Sequence, residues 1–166
     1  MATLRFTGVV RRGIGKFSVE LTLPRRDEIS MPIRDWPEAP QPGSLNVRIR
    51  EDGFPDGFLK AFGAADVRKL DSRRFVPEAE LKWSEIGGNT LPPLPTRPDR
   101  GNAQVWRAIL RNLETGDERQ CWVLRRIGSA LSKDLEIVAA ERLRDSLQLA
   151  DGTVVEIEMD GVWLQR

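Results

Sequence analysis

The sequence predicts a mainly β protein built as a small barrel. Three observations carry this: short segments in which apolar and polar residues alternate, turn-forming residues between them, and few stretches with helical spacing. Residues 4–10 alternate first, with Leu4, Phe6 and Val10 on one face. Arg11-Arg12-Gly13-Ile14-Gly15-Lys16 then reads as a basic, flexible turn. Residues 17–23 alternate again (Phe17, Val19, Leu21, Leu23) until Pro24 ends them, so the pair predicts a β-hairpin. Residues 24–43 carry prolines and little periodicity. Leu45, Val47 and Ile49 share one face of a short strand over 45–49.

Residues 52–63, rich in Gly, Phe and Asp, read as an irregular hairpin, and 64–70 as one or two helical turns. Residues 87–101 hold Pro92, Pro93, Pro95 and Pro98 after Gly87-Gly88-Asn89. This is a long loop or lid, and such loops are either functional or disordered. Segments 105–110 and 119–125 read as strands joined by the turn Glu114-Thr115-Gly116-Asp117. Residues 135–139 form a strong short strand. Residues 141–149 suit a helix of about two turns with Leu143, Leu147 and Leu149 as its apolar stripe. Ala150-Asp151-Gly152 is a turn into an alternating strand over 154–159, which residues 161–164 extend.

The length of 166 residues fits one domain, 1–166, with an insertion at about 51–104. The formal net charge of +1 does not point to a nucleic-acid binder. Cys121 is the only cysteine, so an internal disulfide is excluded, and its apolar neighbours mark a small core residue more than a reactive thiol. No run approaches the ~20 apolar residues that cross a bilayer, and the first residues lack a signal peptide's apolar core. A cytoplasmic protein, monomeric or weakly oligomeric, is expected. Histidine and tyrosine are both absent, which removes histidine-based triads and most zinc sites. Chemistry must rest on carboxylates, Lys, Arg, Ser, Asn, backbone amides or a bound ion.

Three constellations could carry it. The two glycines of Gly13-Ile14-Gly15-Lys16 let backbone amides approach an anion, with Arg11, Arg12 and Lys16 adding charge; a plain hairpin turn uses the same residues. Ser44 and Asn46, two apart at the start of a strand, fall on one face. Their hydroxyl and amide carbonyl suit a hard cation such as Mg2+, although local backbone bonding would also explain them. Glu136 lies opposite Leu135 and Ile137 in an apolar strand, placed to meet a ligand or to face solvent. The start of the following helix, with Arg142 and Arg144, could bind an anion or be solvated.

These pieces resemble the archaeal CTP-dependent riboflavin kinases in order and local wording. The resemblance rests on Val9-Val10-Arg11-Arg12-Gly13-Ile14-Gly15, Leu21-Thr22-Leu23-Pro24, Pro42-Gly43-Ser44-Leu45-Asn46-Val47-Arg48, and Glu136-Ile137-Val138-Ala139-Ala140 with Leu143-Arg144, Leu147, Leu149 and Asp151-Gly152. It covers residues 4–50 and about 119–160. It implies a six-stranded cradle-loop (RIFT-type) barrel with one or two short helices and a long inserted loop region. It also implies a kinase that moves the γ-phosphate of CTP to the 5′-hydroxyl of riboflavin, giving FMN, with Mg2+.

By that correspondence Gly13, Ile14, Gly15, Lys16, Phe17, Arg142, Leu143 and Arg144 would line the nucleotide site. Ser44 and Asn46 would hold the metal. Glu136 would contact the flavin and orient or deprotonate its hydroxyl, with Ser129 nearest to a flavin-touching threonine. The sequence departs from the family at Phe17, where a glycine is usual, at Ala140 for proline, and at Ser44 for threonine. Residues 51–104 have no counterpart in it. Two other readings stand beside this one: a same-fold nucleotide-binding protein or kinase with another small-molecule acceptor, and a non-enzymatic DNA-binding barrel.

Overall fold

The computed structural model describes residues 1–12 and 21–164. Among these, eight strands form: β1 (Ala2–Arg11), β2 (Leu45–Ile49), β3 (Phe75–Val76), β4 (Ala79–Leu81), β5 (Ala103–Asn112), β6 (Glu118–Arg126), β7 (Asp134–Val138) and β8 (Val154–Trp163). Six of them close into an antiparallel barrel in the order β1-β2-β7-β6-β5-β8, with β8 returning to β1. β5, β6 and β7 follow one another as a meander. β8 then crosses back to lie between β5 and β1, sealing the wall. Closure leaves the barrel strands no free edge along these pairings. β4 extends the β5 edge ahead of β8, and β3 caps the far end of β8.

Alternation decides which side chains go inside. Phe6, Val47, Trp106, Val123, Ile137 and Ile157 project into the barrel and are fully or nearly fully buried. The opposite faces of β5, β6 and β7 are apolar too, at Val105, Trp122, Leu124 and Val138. A second core forms there, beneath Leu21, Leu23, Ile33 and Trp36 from the long β1–β2 connection and Leu81 and Ile86 from the insertion. Trp36 anchors that outer layer. Its ring centre lies 5.2 Å from that of Trp122, and its indole Nε1–H donates to the Pro24 carbonyl at 2.9 Å.

Several sequence expectations are corrected. β1 already has β8 on one edge and β2 on the other, so the described part of the predicted 17–23 strand, residues 21–23, does not pair with it. Thr22 makes a single bridge to Gly87 instead, and residues 17–20 lie outside the described residues. The supposed hairpin at 52–63 is a 3-10 turn (Glu51–Gly53) followed by helix α1 (Asp56–Phe62). Pro55 stands at its N-cap, and Gly63 closes its other end at φ 69°, a conformation that costs glycine little. α1 plugs the barrel: Phe58 packs edge-on to Phe6 at 5.6 Å and beside Phe54 at 5.4 Å.

The helical turns expected at 64–70 appear one step later as a 3-10 helix, Val67–Ser72. The proposed two-turn helix at 141–149 is one turn, α2 (Leu143–Ser146), and Gln148 then takes φ 53°. The proline-bearing loop is cross-braced: Asn89 bonds the Gly101 carbonyl and the Leu91 amide, and Leu94 and Arg97 exchange backbone bonds. The insertion therefore supplies Phe54, Phe58 and Phe75 to the inner core and Leu81 and Ile86 to the outer one. No helix among the described residues is long and apolar enough to cross a membrane.

Candidate functional site

The end of β1, the start of β2, the end of β7 and the turns around α2 meet at one end of the barrel, because antiparallel neighbours bring those termini together. They border an open cavity of about 650 Å3. Its walls include Ser44, Asn46, Arg142, Leu143 and Arg144, all singled out from sequence. Among the described residues Arg11, Arg12, Arg142 and Arg144 line it, with Glu141 and Asp151, while Asp134 and Asp145 pair with Arg11 and Arg142 from outside the wall. A ligand carrying negative charges matches those guanidinium groups. Gly13, Ile14, Gly15, Lys16 and Phe17 lie outside the described residues.

The cations are held by geometry, not by a helix end, since α2 has only four residues. Arg144 is half-buried, and its Nη2 donates to Asp151 Oδ1 at 2.8 Å and to the Arg11 carbonyl at 3.4 Å. Arg142 is exposed and pairs with Asp145 at 3.0 Å. Arg12 is exposed. Leu143 points into the inner core, so it borders the cavity while its main role is packing.

Ser44 and Asn46 present oxygen ligands. Asn46 is buried at 5% exposure, yet its Oδ1 has no hydrogen-bond partner. An orphaned buried carbonyl oxygen is costly unless something else satisfies it. Together with the Ser44 hydroxyl it forms a hard, neutral donor pair, which suits Mg2+ carried in with phosphates and water. Among the described residues no three acidic, cysteine or histidine side chains gather as a metal cluster. A phosphate-borne Mg2+ needs only one or two protein ligands.

Glu136 and Ser129 sit elsewhere. Glu136 directly faces Asn46 across the β2–β7 ladder. Both its oxygens are engaged by Arg126, with Nε–Oε2 at 3.0 Å and Nη2–Oε1 at 2.8 Å, and Glu136 does not line the cavity. Ser129 is in the β6–β7 turn, where its carbonyl accepts from Arg125 Nη2 at 2.6 Å and its hydroxyl accepts from the Leu131 amide at 3.3 Å. It too is absent from the cavity wall. Cys121 is buried, which pushes its thiol up to about 12 and makes it inert.

Sequence reasoning passed over Asp134. It is buried beside Arg11, whose Nε lies 3.0 Å from Oδ2, and opposite Arg48 in the ladder. Neither Asp134 oxygen nor Arg11 Nε makes an aligned hydrogen bond, so the attraction offsets burial only in part. Burial therefore holds the carboxyl above its ordinary 3.8, with Arg11 and Arg48 pulling the other way. Above pH 3.8 the unfolded chain releases this proton while the folded chain keeps it. Stability from the neutral carboxyl is thus lost as pH rises through the raised folded value. Asp134→Asn is expected to gain stability relative to the parent as pH rises above 3.8 and through the raised folded value. Urea denaturation at each pH reads this, and a pH-independent gap would refute it.

The chain matches no family model and no curated protein.

Proposed function

We propose that the protein is a Mg2+-dependent phosphotransferase that moves the γ-phosphate of CTP to the 5′-hydroxyl of riboflavin, giving FMN and CDP. The observation that supports it most is the orphaned Asn46 Oδ1 beside Ser44, in a cavity whose described wall carries four arginines and two acids. The choice of CTP and riboflavin rests on the resemblance of the three sequence segments. Arg142, Arg144, Arg11 and Arg12 would bind phosphate oxygens, and Asp151 keeps Arg144 aimed along the cavity wall. Magnesium, held by the Ser44 hydroxyl and the Asn46 carbonyl oxygen, would supply charge neutralisation at the phosphates.

In the transfer, the γ-phosphorus-to-oxygen bond to CDP breaks, a bond to the riboflavin 5′-oxygen forms, and the hydroxyl proton passes to water. Such a transfer asks mainly for positioning and charge stabilisation, so histidine's absence is no obstacle.

The test is incubation with Mg2+, riboflavin and each of the four nucleoside triphosphates, with FMN followed by chromatography. FMN with CTP is the expected result, and no FMN with any donor rejects the reading. The engagement of Glu136 by Arg126 favours a second reading, the same chemistry on another acceptor. CTP turnover without FMN would select it.

A further inference from the structure

Glu136 reaches the cavity only through another residue. On the outward faces of β6, β7 and β2, Leu124 stands opposite Glu136 and Glu136 opposite Asn46, with Arg126 two residues beyond Leu124 on the same side. The Arg126 guanidinium grips both carboxylate oxygens of Glu136 in a fork, and both side chains are about 94% buried. A carboxylate held this way is an acceptor only.

Ser44 Oγ lies 3.4 Å from Glu136 Oε1. In that contact the hydroxyl must be the donor. A proton turned toward Glu136 leaves the serine lone pairs for the cavity that Ser44 lines and Glu136 does not. The contact is long for an O–H···O bond. Without this acceptor, the serine proton would be free to rotate toward the cavity and occupy the direction a cation needs.

We propose that Glu136, locked by Arg126, is a positioning residue that orients the Ser44 hydroxyl as a metal ligand, and does not itself meet the phosphate acceptor. This rests on the phosphotransferase reading above. The test compares binding of CTP in EDTA with binding of Mn2+–CTP for the parent, Ser44→Ala, Glu136→Leu, which removes the acceptor, and the double variant. Each single change is expected to weaken Mn2+–CTP about tenfold while leaving metal-free CTP within about twofold. The double variant should be no worse than Ser44→Ala alone, because the two residues act as one unit.

Additive losses in the double variant, or equal losses with and without metal, overturn the proposal. Unchanged Mn2+–CTP affinity in Glu136→Leu with weakened riboflavin binding also overturns it, and leaves the phosphotransferase reading standing. A parent that binds Mn2+–CTP no better than CTP alone overturns both. Should Glu136→Leu fail to fold, the pair Arg126→Met/Glu136→Leu replaces the buried ion pair with apolar groups and must show the same metal-dependent loss.

Discussion

Replacing Ser44 and Asn46 together with alanine is expected to cut kcat/KM for FMN formation by at least about a hundredfold, or ~2.7 kcal/mol of transition-state stabilisation. The same variant should melt within a few degrees of the parent. The two expectations separate because Ser44 is only half-buried, and Asn46 Oδ1 contributes no hydrogen bond whose loss would unsettle the fold. Steady-state kinetics with Mg2+ and a thermal melt followed by circular dichroism check both. Turnover that persists in a folded double variant would remove the metal site from its assigned place.

The largest stability effect is expected at Trp36→Ala. The side chain is fully buried, packs against Trp122 and satisfies the Pro24 carbonyl. Truncating a buried tryptophan leaves a cavity and here also an unpaired carbonyl, for about 3–5 kcal/mol. In a domain of this size that lowers the melting temperature by roughly 10 °C. Ligand affinity should fall with it, since the connection that Trp36 pins carries Gln41, Pro42 and Gly43 into the cavity wall. Trp36→Phe keeps most of the packing but not the N–H donor, and should lose only about 1–2 kcal/mol. Equal melting temperatures for the alanine variant and the parent would show that the outer layer does not depend on this anchor.

The strand content was readable wherever one face was apolar. Leu45, Val47 and Ile49 mark β2 from end to end, β5 and β6 extend the predicted segments by one or two residues at each end, β7 is shifted by one residue, and β8 ends one residue before its predicted extension. α1 was missed because the Gly, Phe and Asp content of residues 52–63 read as an irregular hairpin. The four-residue spacing of Phe54, Phe58 and Phe62 was the helical signal, and Pro55 and Gly63 were its punctuation. Trp36 gave no warning, because an isolated aromatic among prolines has no period; only the second apolar face of β6 creates its binding place.

The cavity's arginines, Ser44 and Asn46 were legible as local motifs. The fate of Glu136 was not. Arg126 reaches it only because the β6–β7 register sets Leu124 opposite Glu136, and that register depends on how the intervening turn folds. Asp134 was hidden for the same reason: its neighbours Arg11 and Arg48 come from two other strands.

The position of β8 between β5 and β1 governs how the molecule can be made. Its seam with β1 joins Ala2 to Gly161, residues separated by almost the whole described chain, and the other joins Ala108 to Met159. Nothing can shut the cylinder until residues 154–163 have left the ribosome. Until then β1 and β5 each expose an unpaired edge, and Phe6 and Trp106 lack their roof. Contacts this distant along the chain make for slow maturation. Loss of β8 would open both seams at once.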